Sequence, residues 1–499
     1  MANVTNAPRT YGNWRKPMTT GLGRLGLLGT LALLALCIVL VLVQQIAGLL
    51  PAMVVAMLGG GLLLGLILKD KHDLSLAQRI GPRLGYRRAS RTRGRLYRSG
   101  PIGRGGWGTY QLPGLLAPTK LIETKDSYDR PFAIVAWPRF GHYAIVISCE
   151  PDGAGQVDQD QVDNWVAGWS GWLTNLGHED GVIGASVTVE TAPDTGYRLG
   201  AEVRHNIAPD APEVARQMLA EVVDTYPQGA AQVKAWVTLT FSAQTRSGHR
   251  AGPEDMALEL ATRLPNLTHG LASTGAGHAR PATAQELCEL VRIAYDPASA
   301  SVIDEAKAMG QRTELRWSDV GPAAHQAFWD KYRHDAAWSV TWAMTVAPRG
   351  EVYENVLQPL LAPHKAVARK RVTILYKVLD PGVAARVVES DVRSSAFRVN
   401  STDRPSARLQ NDRRSAEKTA QEEARGAGLV DFGVLVTATV TDPDALPDAV
   451  AAVDRLGSQS RMMLRPVYGS QDSAFATALP LGIVPESHLL IPDAVRGAL

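Results

Sequence analysis

From Leu25 to Leu68 the chain runs 44 residues without a charge, and only Thr30, Gln44 and Gln45 interrupt its apolar character. A helix rises about 1.5 Å per residue and a bilayer core is about 30 Å thick, so roughly 20 apolar residues cross it once. The stretch therefore accommodates a two-helix transmembrane hairpin. Its spans are expected at 25–43 and 46–68, with Gln44-Gln45 and Pro51 marking the turn. Two full spans leave no lipid-exposed loop at membrane depth. A secretory signal peptide has an apolar region of about 7–15 residues followed by a small-residue cleavage site. This run is too long for that, and a second run follows at once.

Charge orients the hairpin. Residues 1–24 carry Arg9, Arg15, Lys16 and Arg24 and no acid, and 69–104 carry eleven Lys or Arg against Asp70 and Asp73. The positive-inside rule then places both flanks, and both chain termini, on the cytoplasmic side of a cell membrane that the chain crosses twice. The first 104 residues have a net charge of +13 and the remaining 395 a net charge of −10, so the overall +3 conceals two opposed parts. Arg79, Arg83, Arg87, Arg88, Arg91, Arg93, Arg95 and Arg98 are the candidate membrane-surface contacts, suited to anionic lipid headgroups. Nucleic acid is the rival ligand for them. The acidic body beyond Arg104 would repel a duplex, which favours lipid.

Three cysteines, Cys37, Cys149 and Cys288, make neither a disulfide nor a zinc spacing and read as small buried apolar residues. The region beyond the hairpin reads as mixed α/β, in the segments 69–118 (basic juxtamembrane segment and linker), 119–250 (first α/β subdomain), 251–334 (helical and loop insert) and 335–499 (second α/β subdomain). Gly100 to Pro118 carries no periodic pattern and is expected to be a linker. Strands are expected at 132–137 and 142–149, joined by a Pro138-Arg139-Phe140-Gly141 turn. Val162, Trp165, Val166, Trp169, Trp172 and Leu173 form one apolar stripe on a helix over 159–176, and the tryptophans on it read as core. Strands at 181–190 and 198–205, a helix at 211–224 and a strand at 233–242 complete a β-β-α-β-β-α-β series. That order suggests ferredoxin-like β-α-β units with helices on one sheet face.

The middle block is more helical, at 253–263, 283–294 and 299–309, with turn-rich stretches at 264–281 and 312–334. A second series follows: strand 337–347, helix 352–361, strand 366–379, a long charged helical region, strand 432–441 and helix 444–457. The two series suggest an old duplication, although no residue-level repeat is visible. Within 401–425, Arg413 with Glu417 and Lys418 with Glu422 stand four apart, as ordinary ion pairs on a solvent-facing helix do.

Motifs of common chemistries are missing. No Gly is followed by Lys anywhere, so the phosphate-cradling loop of P-loop ATPases cannot form. The G-x-G-x-x-G at Gly21, Gly23 and Gly26 opens an apolar helix instead of following a strand and reads as helix packing, as does the G-x-x-x-G of Gly61 and Gly65. The eleven histidines show neither H-x-x-x-H nor H-x-H spacing. His178-Glu179-Asp180 reads as a solvated turn, and Gly168-Trp169-Ser170-Gly171-Trp172 lacks the last glycine of a nucleophile elbow. No catalytic residue, cofactor or metal site is expected.

The stretch Leu464 to Gly482 contains Gln471, Phe475 and Leu479-Pro480-Leu481-Gly482. It resembles the end of the N-terminal domain of TraC-class conjugative type IV secretion ATPases, in which a P-loop motor follows. The apolar hairpin is similar to the PrgI-like inner-membrane subunit sometimes fused ahead of that ATPase. Tyr11-Gly12-Asn13-Trp14-Arg15 resembles an actinobacterial membrane family associated with conjugative elements. These resemblances imply a hairpin anchor fused to a motorless ATPase N-domain. Such a protein would be a non-catalytic, oligomeric structural subunit that docks a separate P-loop motor and other membrane subunits, with Gln471, Phe475, Leu479, Pro480 and Gly482 structural or in contact with the motor. The alternatives are a scaffold resembling the EccE component of type VII secretion, a membrane-anchored enzyme, and a membrane-tethered DNA adaptor using the arginine segment.

Overall fold

The computed structural model describes residues 9–12, 14, 26–67, 70, 72, 76–103, 109–151, 153, 155–225, 230–244, 251–348 and 350–488. A short strand, β1 (Tyr11–Gly12), precedes two apolar helices, α1 (Gly26–Ala47) and α2 (Leu49–Ile67). They are broken at Gly48, whose φ of +86° lies in the left-handed region that glycine enters without steric cost. The turn is therefore not at Gln44-Gln45, which lie in the last turn of α1. Pro51 sits in the first turn of α2, where its missing N–H sacrifices no helical hydrogen bond. Among the described residues, Gly29–Ala47 is the one segment long and apolar enough to cross a membrane by length and composition, and the apolar segment Leu49–Gly65 is shorter. The two helices touch at Gly59, where an added Cβ would meet Leu36 Cδ1 at 2.3 Å, whereas Gly61 faces open space. Gly26 opens α1, and Gly21 and Gly23 fall outside the described residues.

The basic segment after α2 forms a helix, α3 (Leu76–Arg91), and an edge strand, β2 (Leu96–Arg98). Then follow β3 (Lys120–Lys125), β4 (Pro131–Trp137), β5 (His142–Glu150), α4 (Gln159–Leu176), β6 (Val182–Pro193), α5 (Tyr197–Asn206), α6 (Glu213–Thr225), β7 (Ala231–Ser242), α7 (Pro253–His269), β8 (His278–Pro281), α8 (Ala284–Tyr295) and α9 (Ser299–Ala308). The chain continues through β9 (Ala324–Ala327), β10 (Tyr332–His334), β11 (Ala337–Val346), β12 (Glu351–Val352), α10 (Gln358–Leu361), β13 (Arg369–Val378), α11 (Pro381–Asn400), α12 (Ala407–Ala424), β14 (Val430–Val440), α13 (Leu446–Gln459), β15 (Met463–Pro466) and α14 (Gln471–Thr477). The protein is thus a mixed α/β chain built on one large antiparallel sheet.

Three expectations are corrected. The strand at 198–205 is helix α5, which packs on α9 instead of entering the sheet. The linker at 100–118 is partly core, because Leu112 and Leu116 are buried in one apolar cluster with α8 and α14. The turn-rich 312–334 contains β9 and β10, too short to show an alternating pattern.

Thirteen strands form the sheet in the order β2-β9-β10-β11-β14-β13-β6-β7-β5-β4-β3, with β15 beside β11 and β8 beside β5. Apart from β2 at one edge, the order is palindromic about the β6/β13 seam. In each half two hairpins lead to a first strand, a helix crosses to a second strand, a helix pair leads back to a third strand lying between those two, and another helix leads to a fourth strand beside the first. Counting outward along the pairing registers matches Thr188 with Thr373, Thr238 with Thr437, Thr240 with Thr439, and Arg280-Pro281 with Arg465-Pro466. The buried stripe Ala257, Leu260, Ala261 and Leu264 of α7 has the spacing of Ala449, Ala452, Val453 and Leu456 of α13.

One face of the sheet is apolar in both halves. Ile134, Ile145, Ile147, Leu239 and Phe241 pack under α4 and α7, and Trp342, Val372, Val436 and Ala438 pack under α10 and α13. The opposite face is apolar at the β4–β5 end, where Val135, Trp137 and Val146 meet α8. Towards the centre it turns polar. Thr188 and Thr373 face each other across the seam at 3.2 Å. Beside them Glu190 receives Arg371 at 2.8 Å through Nε, and Arg369 also pairs with it. Burial alone would raise the Glu190 carboxyl, but Arg371 and Arg369 hold it at about 2.

The C-terminal segment crosses this polar face as a strap. Gln471 Oε1 accepts from the Thr341 N–H at 2.8 Å while its Nε2 donates to the Thr341 carbonyl at 3.1 Å. Thr373 donates to the Ala478 carbonyl at 2.7 Å, Thr240 to that of Gly482 at 3.1 Å, and Trp137 Nε1 to that of Leu481 at 3.2 Å. The strap thereby ties β11, β13, β7 and β4 across both halves. Phe475, fully buried, sits among Tyr295, Tyr332, His334 and the Arg371 guanidinium.

A methyl at Gly482 would stand 2.2 Å from Ala144 Cβ at a φ of +74°. Gly482→Ala should cost about 2–4 kcal/mol in denaturant unfolding, from overpacking plus left-handed strain. His334 Nδ1 donates to the Tyr295 carbonyl and its Nε2 accepts from the Ser339 hydroxyl, and burial lowers it to about 4, as it does His325. As pH falls below the ordinary 6.5, the unfolded chain takes up these protons before the folded one does, so stability should drop between about 6.5 and about 4. Between about 4.5 and about 2 the Glu190 pair is lost in turn. A melting temperature that is flat from neutral pH to about pH 4 would contradict this assignment.

Candidate membrane-anchoring site

The segment just before α1 is bound to the body. Tyr11 pairs with Val352 and Gly12 with Glu351, so β1 adds to β12 as an antiparallel strand. Gly12 has φ +138°, and a Cβ on it would lie 2.1 Å from the Gly350 carbonyl oxygen, so no other residue fits there. Trp14 stands edge-on to Phe432 at 5.7 Å, Arg9 pairs with Asp163 at 3.4 Å, and Thr10 donates to Glu351 at 3.2 Å. Burial, with Asp163 close by, raises the Tyr11 phenol. The Tyr-Gly-x-Trp pattern is therefore a fastening. Tyr and Trp supply apolar contact, and Gly permits the strand to approach.

The segment just after α2 is bound to the same place. His72 Nδ1 lies 3.3 Å from Thr345 Oγ1. Ala343 pairs with Leu435 in the β11/β14 ladder, so Thr345 and Phe432 mark the same end of those two strands. The apolar helices thus leave the body and return to it at one corner of the sheet. Beyond His72, α3 is seated by a stack of rings. Tyr86 stands edge-on to Trp329 at 5.4 Å, Trp329 stacks on Tyr468 at 5.7 Å, and Arg465 lies over Tyr468 at 5.0 Å. Arg95 closes the other end, donating to the Tyr86 hydroxyl at 2.9 Å.

The eight arginines separate into two groups. Arg79 pairs with Asp70 at 3.7 Å, and Arg95 caps the ring stack. Arg83, Arg87, Arg88, Arg91 and Arg93 are exposed on α3 and the turn after it, with no ion pair among the described residues. Ile80 and Leu84, 49% and 59% exposed, share that outer surface with Arg83, Arg87 and Arg91. Arg98 is exposed on β2, at the edge of the sheet. A helix with two outward apolar side chains among outward arginines matches the chemistry of a headgroup layer.

The other sequence candidates are placed as follows. Gln471, Phe475, Leu479, Pro480 and Gly482 are all buried in the strap, so they serve structure and offer no surface. Glu179 and the Asp180 carbonyl are bound by Arg263, at 2.7 and 2.9 Å, which makes the His178-Glu179-Asp180 turn a clasp on α7. Trp172 is buried, stacked on Trp169, and Trp165 lies against Gly275, which agrees with the core reading. Burial raises Cys149 to about 11 and Cys288 to about 12. The residues missed from sequence are Trp329, Arg465 and Tyr468, far from the apolar stretch in sequence. Only the β15 and β9–β10 pairings bring them to α3.

Replacing Gly12 by Ala should detach β1 while leaving the sheet folded. The expected readout is faster amide exchange confined to residues 9–14 and 350–353. Unchanged exchange there would show that β1 pairing does not hold the segment.

Residues 18–78 match a family described as a domain of unknown function, DUF8461, which covers the apolar helices and the turn into α3. No curated protein matches the chain.

Proposed function

We propose that this protein is a membrane-anchored, non-catalytic scaffold whose α1 and α2 cross the bilayer as a hairpin, with both flanks and the α/β body on the cytoplasmic side. The observation that carries the reading is the docking of residues 9–14 and of 72 onto one corner of the body, at Val352, Phe432 and Thr345. A segment that leaves and returns at the same place makes an even number of crossings. The arginines of α3, flanking that corner, agree with the positive-inside rule. The two halves of the body read as ferredoxin-like units joined by duplication, each with its helix pair inserted between the second and third strands.

Within this reading the protein is a structural subunit of a type IV-like secretion or conjugation complex that positions a separate P-loop motor ATPase. Support comes from the resemblance of the 464–482 segment to the end of a conjugation ATPase N-domain. Because that segment is buried, contact with a motor falls to other surfaces of the body.

Two experiments test the proposal. In a background lacking the native cysteines, Thr10→Cys and Thr92→Cys should be labelled by impermeant maleimide only from the cytoplasmic face, and Gly48→Cys only from the opposite face. Labelling of Thr10→Cys and Thr92→Cys from opposite faces would exclude the hairpin. Gentle-detergent purification from native membranes should retain a P-loop ATPase and further membrane subunits. Clean recovery of the chain by itself would remove the scaffold assignment.

A further inference from the structure

The two halves share one connectivity, so the fold asks the same of α6 as of α12, the second helix of the pair in the other half. They answer differently. α12 exposes no large apolar side chain and carries the ion pairs Arg413–Glu417 and Lys418–Glu422 on its surface. α6 carries Val214, Met218 and Val222, spaced four apart on one face and 67%, 63% and 46% exposed, with Leu219 beside them at 37%. No residue of α6 is buried. Its inner side is covered by α5, since a Cβ on Gly200 would lie 3.5 Å from Val223 Cγ1. The outer apolar row is therefore surplus to folding, and a contiguous row of this kind marks a contact surface.

Position and charge select what lies on it. Helices α5 and α6 leave the sheet at Pro193 and return at Ala231, at the Thr191–Lys370–Ala438 end of the strands, whereas Phe432, which receives Trp14, lies at the Ala185–Tyr376 end. α6 thus stands at the end of the strands away from the docked segments that flank the apolar helices. Beside the apolar row, Glu213, Gln217, Glu221 and Asp224 are all exposed and form one flank of the helix. Arg216 is turned away from that flank and donates to the Pro209 carbonyl. An acidic flank repels an anionic bilayer, and a second α6 would bring a second acidic flank to the contact.

We propose that α6 is a docking surface for a basic amphipathic helix of a partner protein, whose apolar stripe lies along Val214, Met218 and Val222 and whose lysines or arginines face Glu213 and Glu221. That the partner is another subunit of the membrane complex rests on the function proposed above, whereas the chemistry of the contact rests on α6 alone. Because α6 stands away from the docked corner, a partner bound there leaves the apolar helices and α3 unobstructed.

The test is fluorescence anisotropy with the full-length protein in phosphatidylcholine nanodiscs and two labelled model helices of about 18 residues, one of leucine and lysine and one of leucine and glutamate at helical spacing. Empty nanodiscs give the blank. The leucine–lysine helix should bind saturably, and the leucine–glutamate helix at least about ten-fold more weakly. Val214→Ser with Met218→Ser should weaken the leucine–lysine helix about ten-fold or more. Glu213→Lys with Glu221→Lys should reverse the preference between the two helices. Because none of these four side chains is buried, the melting temperature should stay unchanged, which separates lost contact from lost fold. Equal binding of the two helices, or binding that the α6 variants leave unchanged, would overturn the proposal. So would self-association of the unmodified protein that Val214→Ser with Met218→Ser abolishes, since the surface would then belong to a second copy. The titration requires neither a membrane crossing nor a motor, so its failure is separable from that of the labelling and purification experiments.

Discussion

The seam between β6 and β13 is the constraint on which the body depends. Seven antiparallel residue pairs, from Lys370–Thr191 to Tyr376–Ala185, turn two equivalent half-sheets into one. Both faces of this seam are covered, so a slip of one residue would exchange the valines under the helices for the threonines and charges under the strap. The Glu190 carboxylate, bound by Arg369 and Arg371 from the opposing strand, adds a second specification of register. Buried ion pairs of this kind contribute little net stability but are costly when one partner is removed, so they penalise alternatives more than they strengthen the native pairing.

The strap and the docked segments that flank the apolar helices both build on that seam, and both break its symmetry. Gln471 to Gly482 runs across both halves on the polar face, satisfying hydroxyls that a purely apolar cover would leave unpaired. Apart from the Arg9–Asp163 pair, the segments flanking the apolar helices contact the second half. There Thr345 and Phe432 receive His72 and Trp14. The register-matched positions in the first half are Glu150 and Val233, both exposed. An aromatic ring at one corner and an aliphatic side chain at the other decide which end of a near-symmetric sheet faces the apolar helices.

Much of this was legible in the sequence, for local reasons. The helix at α4 and the strands β4, β5 and β7 were read within a few residues because their apolar positions follow one clean period. The two apolar helices followed from length and charge alone. Errors fell where local pattern is ambiguous. Residues 198–205 pass for a strand until α9 is present to cover them. Gln44-Gln45 suggests a turn until the backbone freedom of Gly48 is weighed. The Gln471–Gly482 motif is distinctive in sequence, but nothing local says that its side chains point into a sheet more than a hundred residues away.

The sequence by itself determined that this is a chain with an uncharged 44-residue stretch flanked by arginine and followed by an acidic mixed α/β body. It did so because hydrophobic period, charge and helix length act over short separations. Only the tertiary structure decided that the body is two copies of one connectivity, that residues 9–14 and 72 meet at one corner, and that Tyr468 and Trp329 seat Tyr86 of α3. Each of those depends on strand pairing between segments hundreds of residues apart. Such pairing is set by the burial of whole sheet faces, which no single stretch of sequence encodes.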